Sequence, residues 1–407
     1  MLNWTTQFNI FCLLDNHQYS FSTPEFECLL AAGSLETLSA SAGKSFDSLQ
    51  HFTDSNPDWI FGHLSYDLKN EIEDLASDNF DGINFPDIFF FVPKVVLILK
   101  KNFLSIGCVT NDHEKIFQAI NSAGYSEFST PAVKPLKARF SKTEYIEAVN
   151  QLQYHIHRGD CYEINFCQEF YSDDLAIEPM EAYLKLSALS PNPFAAFYKL
   201  NDKYLLCSSP ERYLKKDGDR IFSQPIKGTA KRNQIQSEDE KNKQDLLNSK
   251  KETSENVMVV DLVRNDLSKV CKERSVNVDE LFGLYSFPQV HQMISTVSGI
   301  VEDGKTISDI LKATFPMGSM TGVPKKKVME LIEKYERTKR GLFSGAVGYI
   351  TPDGDFNFNV VIRSILYNAT NKYVSIQAGS AITFYSDPEK EYEECLLKVE
   401  ALKKVLE

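Results

Sequence analysis

Five sets of residues in this 407-residue chain have the types and spacing that chemistry requires. The first is Lys227, in Gln224-Pro-Ile-Lys-Gly-Thr229. Gly228 after the lysine lets a ligand approach the backbone, and the Gly–Thr amides and the Thr229 hydroxyl can bind an anion. A lysine in a dry pocket can lose its charge and become a nucleophile; an ordinary surface lysine before a turn would read the same. The second set is two Glu-x-x-Glu pairs, Glu252/Glu255 and Glu391/Glu394. A spacing of three puts both carboxylates of a pair on one helical face. Two such faces opposed would hold Mg²⁺, a hard cation that prefers carboxylates and keeps its waters; two solvated acidic faces are the alternative. The third is Glu211 in Cys207-Ser-Ser-Pro-Glu-Arg-Tyr213, a carboxylate at a strand end. It is placed either as a general acid or as a partner for Arg212. The fourth is Gly318-Ser-Met-Thr-Gly-Val-Pro-Lys325, which is expected to run straight into a helix. The free N–H groups there, with the Ser319 and Thr321 hydroxyls, suit an anion; a plain capped turn is the alternative. The fifth is Arg363, which breaks the apolar run Val360-Val-Ile-Arg-Ser364 on an expected strand. An inward arginine there needs either an anionic ligand or an internal salt bridge.

The elements that position these groups are written in the hydrophobic pattern. Ser141-Lys-Thr-Glu144 is a capping box, and Tyr145, Val149, Leu152 and Ile156 continue at helical spacing. Arg158-Gly-Asp160 turns the chain into an alternating, half-buried strand, with Tyr162, Ile164 and Phe166 opposite Glu163, Asn165 and Cys167. Helices are also predicted from Pro324 to Tyr335 and from Pro388 to the C-terminus. The apolar stretch from Ile88 to Leu99 reads as two strands broken at Pro93-Lys94 and is too short to span a bilayer. Asp261, Arg264 and Asp266 read as a structural ion-pair network. The pattern is α+β with α/β-type layering. A β-rich region over 1–130 packs on one large unit over 135–407, joined by a linker from Asn121 to Lys137.

Composition limits the partners. A net charge of −12 without a basic, aromatic-interleaved patch argues against nucleic acid. Eight cysteines without a Cys-x-x-Cys pair read as reduced thiols of a cytoplasmic protein, and the N-terminus lacks the basic start of a signal peptide. No histidine spacing or Gly-rich nucleotide motif is present.

Taken in order, the motifs from Arg158-Gly-Asp-Cys-Tyr162 to Glu391-Tyr-Glu-Glu394 resemble the chorismate-using enzymes over about two-thirds of the chain. The N-terminal third matches only around Gly62-His-Leu-Ser-Tyr-Asp67. The resemblance implies large β-sheets flanked by helices around a central cleft, with chorismate as substrate and Mg²⁺ as cofactor. It implies Glu255 and Glu394 as direct ligands, with Glu252 and Glu391 close by or bridged by water. Substrate contacts would come from Gly228, Thr229, Ser319, Thr321, Phe343, Arg363, the Gly379-Ser380-Ala381 backbone and Lys398. Members that aminate chorismate at C4 carry lysine at the position of Lys227. It attacks C2 while an acid, here Glu211, helps expel the C4 hydroxyl. Such members draw ammonia from a separate glutaminase subunit. Family members that add water at C2 carry a lysine base where this chain has Glu163. Three positions depart from the pattern: Gln292 stands where a histidine is usual, beside His291; Ala381 replaces a glycine; Glu163 replaces the glutamine common in the C4-aminating members. Formation of anthranilate, and chorismate binding without turnover, are the competing expectations.

Overall fold

The computed structural model describes residues 1–19, 26–124, 134–287 and 290–407. The proposed linker falls largely on 125–133, outside the described residues. Every strand pairing is antiparallel, and together they form one continuous hydrogen-bonded ladder that two long bent strands divide into two sheets. One runs from Phe103–Cys108 through the second half of Ile88–Lys100 and the first half of Cys28–Ala40 to Ile10–Asp15. It continues through Phe194–Leu200, Lys203–Ser209, Ser364–Asn368 and Tyr373–Ile382 to Glu163–Ser172. The other takes the remaining halves of those two long strands, then Ile60–Leu64, Ala346–Ile350, Phe356–Asn359 and Arg212–Asp217. It ends with Arg220–Gln224, Val290–Ile300, Asn277–Ser286 and Ile226–Lys231.

The expected pair of strands around Pro93 is therefore one 13-residue strand, Ile88–Lys100. Pro93 lies opposite Ser34, where the register shifts, and Gly33 takes φ +67°. A proline without an N–H fits a ladder only at such an irregularity. The bend passes both strands from one sheet to the other.

Cys12, Leu29, Phe61, Phe91, Tyr198 and Tyr349 share the core between the sheets. The outer face of the first sheet packs under Lys142–His157, Pro179–Leu189, Lys325–Tyr335 and Pro388–Val405. The second packs under Ser45–Ser55, Lys250–Ser268 and Ile307–Thr314. The layered α+β expectation holds. The sheets also interleave the chain: Ile10–Asp15 pairs with Phe194–Leu200, and Ile60–Leu64 with Ala346–Ile350.

The predicted helices form where their caps place them. Ser141 and Glu144 make the reciprocal capping box, Ser249 caps the Glu252 amide, and Asp387 caps Glu389 and Lys390. The strand after Arg158-Gly-Asp160 differs from expectation. It is Glu163–Ser172 and buried on both faces, because a helical layer covers Ile164 and Phe166 while the other face looks into the molecule; Tyr162 lies outside it, 66% exposed.

Candidate active site

Lys227 projects from the strand Ile226–Lys231 toward the end of Glu163–Ser172 in the other sheet. It is buried, and its Nζ donates to Glu163 Oε1 at 2.6 Å and to Asn165 Oδ1 at 3.4 Å. Burial alone would strip its charge, but the Glu163 carboxylate and its hydrogen bond, with the acids Glu255 and Glu211 nearby, reverse the shift and raise its pKa. In the resting protein the 2.6 Å bond to Glu163 favours the ammonium form of Lys227.

Glu211 is buried at the end of Lys203–Ser209, its backbone fixed by Ser209 Oγ and by the amide of Val360. Burial pushes its pKa up to about 7, against the Ser319 hydroxyl, Lys227, the Ile226 amide and Arg363, which all favour the carboxylate. It is an acid poised at neutral pH. Its neighbour Arg212 turns away to Asn357 and Gln224.

The two Glu pairs come from facing helices, Lys250–Ser268 and Pro388–Val405. Among the described residues no three His, Cys, Asp or Glu side chains are gathered tightly enough to hold a metal. Glu391 and Glu255 instead share the Lys251 ammonium, at 3.1 and 3.9 Å. Glu255 Oε1 and Glu391 Oε2 are buried without a hydrogen-bond partner, and burial raises the Glu255 pKa to about 8. Glu394 pairs with Lys398 at 2.8 Å. Glu252 lies against Gly228, where an added Cβ would stand 3.2 Å from its Oε2. Orphaned carboxylate oxygens around one flexible cation, all hard oxygen donors, fit a divalent ion in place of the lysine.

The remaining predicted contacts divide. Gly228 takes φ +94°, which glycine alone adopts freely, and Thr229 is exposed. Arg363 is half-buried at φ +49° just before the strand Ser364–Asn368, not on a strand, and it makes no ion pair among the described residues. The internal salt bridge considered for it is absent there, so its guanidinium is available for an anion. Ser319 is buried beside Glu211. Thr321 is turned inward, its hydroxyl donating to Met317 O at 3.2 Å. The Gly318 segment does not run into a helix. A short turn, Gly318–Met320, leads to Gly322–Val323, which pairs with Ile164 and Glu163 before the helix begins at Lys325. Phe343 packs in the core between the sheets. Gly379, Ser380 and Ala381 lie in the strand Tyr373–Ile382, opposite Cys167, Phe166 and Asn165. The strand on its other side pairs only as far as Ile376, so among the described residues no strand pairs that edge along these three residues; Lys398 donates to Gly379 O.

His291 does not take the place of the expected histidine. It is held by Asp239 at 3.0 Å and Ser286 at 2.8 Å, while Gln292, opposite Thr229, is buried with Oε1 unpartnered. The proposed single network at Asp261 is two sets: Asp261 with Arg264, and Asp266 with Lys325 and Lys269. Two groups escaped the sequence reading, Glu163 as the partner of Lys227 and Lys251 as the cation between the Glu pairs. The alternation of Glu163 and Asn165 on one strand face was the available signal for the first.

A family model described as chorismate binding enzyme matches residues 11–404. The chain belongs to the chorismate binding enzyme family. Aminodeoxychorismate synthase component 1 of Bacillus subtilis is 32% identical over 361 residues, spanning 85% of this chain and 76% of the relative. Anthranilate synthase component 1 of Thermus thermophilus is 33% identical over 359 residues, 86% of this chain and 77% of the relative. The crystal structure of anthranilate synthase component I from Streptococcus pneumoniae has a TM-score of 0.81 at 24% identity, covering 95% of this chain and 94% of that one. Membership makes this a chorismate-utilising enzyme, and the shared fold is the anthranilate synthase component I type. Among the described residues no helix is long and apolar enough to cross a membrane.

Proposed function

We propose that this enzyme aminates chorismate at C4, giving 4-amino-4-deoxychorismate, with Lys227 as covalent nucleophile. The observation that carries the reading is the buried Lys227 Nζ, held 2.6 Å from Glu163, with the buried acid Glu211 beside it. Lys227 attacks C2; the ring double bonds shift toward C4; and the C4 hydroxyl leaves as water with the Glu211 proton. Ammonia then forms the C4–N bond, the double bonds shift back and Lys227 is expelled. The Glu211 carboxylate recovers its proton from the new ammonium. Arg363, Gly228-Thr229 and the open edge at Gly379-Ser380-Ala381 hold the substrate carboxylates. Glu255 and Glu394, with Glu252 and Glu391, would hold Mg²⁺. When bound, the ion supplies positive charge to a substrate carboxylate. Lys251 must leave the Glu255–Glu391 gap for this to happen.

The component 1 relatives support a glutamine amidotransferase partner as the ammonia source. Their names also divide between two products, so anthranilate is the second reading. Lys227→Ala discriminates: the proposal expects loss of C4 amination with chorismate still bound, whereas undiminished product formation would refute the covalent step.

A further inference from the structure

Lys227 must attack as an amine, yet its buried Nζ is held in a 2.6 Å ion pair with the Glu163 carboxylate. Some group has to take its proton. The charged groups that face it are Glu163, Glu255 and Glu211, with Glu252 and Glu394 farther off on the two helices and Arg363 beyond Glu211. Glu211 has to start protonated to expel the hydroxyl. Glu255 and the outer glutamates are committed to a cation. Glu163 touches Nζ, at 2.6 Å.

The backbone fixes that carboxylate. Gly322–Val323 pairs with Ile164 and Glu163 along one edge. The amides of Tyr162 and Asn165 donate to Val323 O and Thr321 O, both at 2.8 Å. At Gly322, φ +149°, a Cβ would stand 2.1 Å from Glu163 O, so glycine permits the close approach. The second carboxylate oxygen, Oε2, is buried with no hydrogen-bond partner, while the first is spent on Lys227.

We propose that Glu163 is the catalytic base that deprotonates Lys227 before it attacks chorismate, an inference that rests on the nucleophile reading above. An Nζ–H bond breaks and an O–H bond forms on Glu163. The freed lone pair makes the C2–N bond as water departs from C4. When ammonia enters at C4, Lys227 leaves C2 as a neutral amine and recovers its proton from Glu163. The pair ends as it began, carboxylate and ammonium, and no outside base is consumed. The close ion pair is thus a proton store matched to one turnover.

The opposing account makes Glu163 an anchor that merely keeps Lys227 charged. The two accounts predict opposite signs for Glu163→Gln. Removing the anion favours the free amine, so an anchor's loss leaves attack equally fast or faster. A base's loss slows attack, by about 100-fold or more on the scale of general base catalysis. Rapid-quench mass spectrometry of the intact protein with chorismate and Mg²⁺, without ammonia, reads the Lys227 adduct directly; kcat with saturating ammonium is read in parallel. In the wild type the adduct should form, and both rates should drop together in Glu163→Gln, with chorismate affinity nearly unchanged and partial recovery at high pH. Glu163→Asp, which keeps a carboxylate, should retain intermediate rates; it serves as the test if the glutamine variant is misfolded, and an Asp variant as slow as one lacking any carboxylate would count against the base. Normal or faster adduct formation in Glu163→Gln overturns this inference alone. No adduct in the wild type, with amination surviving in Lys227→Ala, overturns the nucleophile reading and this inference with it.

Discussion

Replacing Glu211 with glutamine removes the acid while keeping the shape of the side chain. Glu211 is 4% exposed, and burial lifts its pKa from 4.5 to about 7. A shift of that size corresponds to about 3 kcal/mol of preference for the neutral form. At pH 7 about half of the enzyme carries the proton, at pH 8 about a tenth and at pH 9 about a hundredth. If Glu211 delivers its proton to the departing C4 hydroxyl, kcat should fall on the alkaline side, ~5-fold from pH 7 to 8 and ~10-fold more by pH 9. Glu211→Gln should lose ~10²–10⁴ in kcat at pH 7, and what activity remains should lack that alkaline limb. The assay is a stopped-time measurement of chorismate consumption with ammonium held as free ammonia at constant concentration, so that the amine's own titration does not enter. A wild-type limb that persists in Glu211→Gln, or a variant within a few-fold of wild type at pH 7, would refute the acid role.

Other perturbations act on the metal face and on the scaffold. Glu255→Gln should abolish Mg²⁺-dependent activity and weaken Mg²⁺ binding by calorimetry, while leaving the Tm of the metal-free protein unchanged or higher, because it removes a charge that burial, Glu163 and Glu252 all disfavour. Without metal, Glu255 and Glu211, with folded pKa values of about 8 and about 7, stay protonated when the unfolded chain ionises near 4.5. Their contribution to stability is complete below pH 4.5 and is lost as pH rises through 7 to 8, so the Tm of the metal-free protein should fall over that window by scanning calorimetry, and Mg²⁺ should restore it. Lys251→Met should tighten Mg²⁺ binding in a calorimetric titration, since the competing ammonium between Glu391 and Glu255 is gone; weaker binding would contradict the stand-in role. Arg340→Met should destabilise by about 3–5 kcal/mol in denaturant titration, because it leaves Glu336 buried and unpaired and orphans the carbonyls of Met320 and Asn165 that Arg340 now bonds.

Local signals were legible in the sequence. The capping box at Ser141 and the start at Pro388 mark helices that the structure keeps, and the lysine singled out at Lys227 is buried. What the sequence concealed is set by distant pairing. Glu163 lies 64 residues from Lys227, on another sheet, and nothing local links an acidic strand residue to that lysine. Arg363 looked like a strand residue because its neighbours are apolar, but they fill the core at a kink that turns it to φ +49°. The Gly318 segment looked like a helix start because Gly and Pro flank it, yet its two-residue strand completes the edge of Glu163–Ser172 first. Pro93 read as a break because its compensating bulge lies on the partner strand, between Ser34 and Glu36.

The most direct test of the central claim is the identity of the product. Purified enzyme with chorismate, Mg²⁺ and ammonium, resolved by liquid chromatography and mass spectrometry, should yield 4-amino-4-deoxychorismate, convertible to 4-aminobenzoate by an added lyase. Anthranilate as the product, or chorismate bound and returned unchanged, would contradict it.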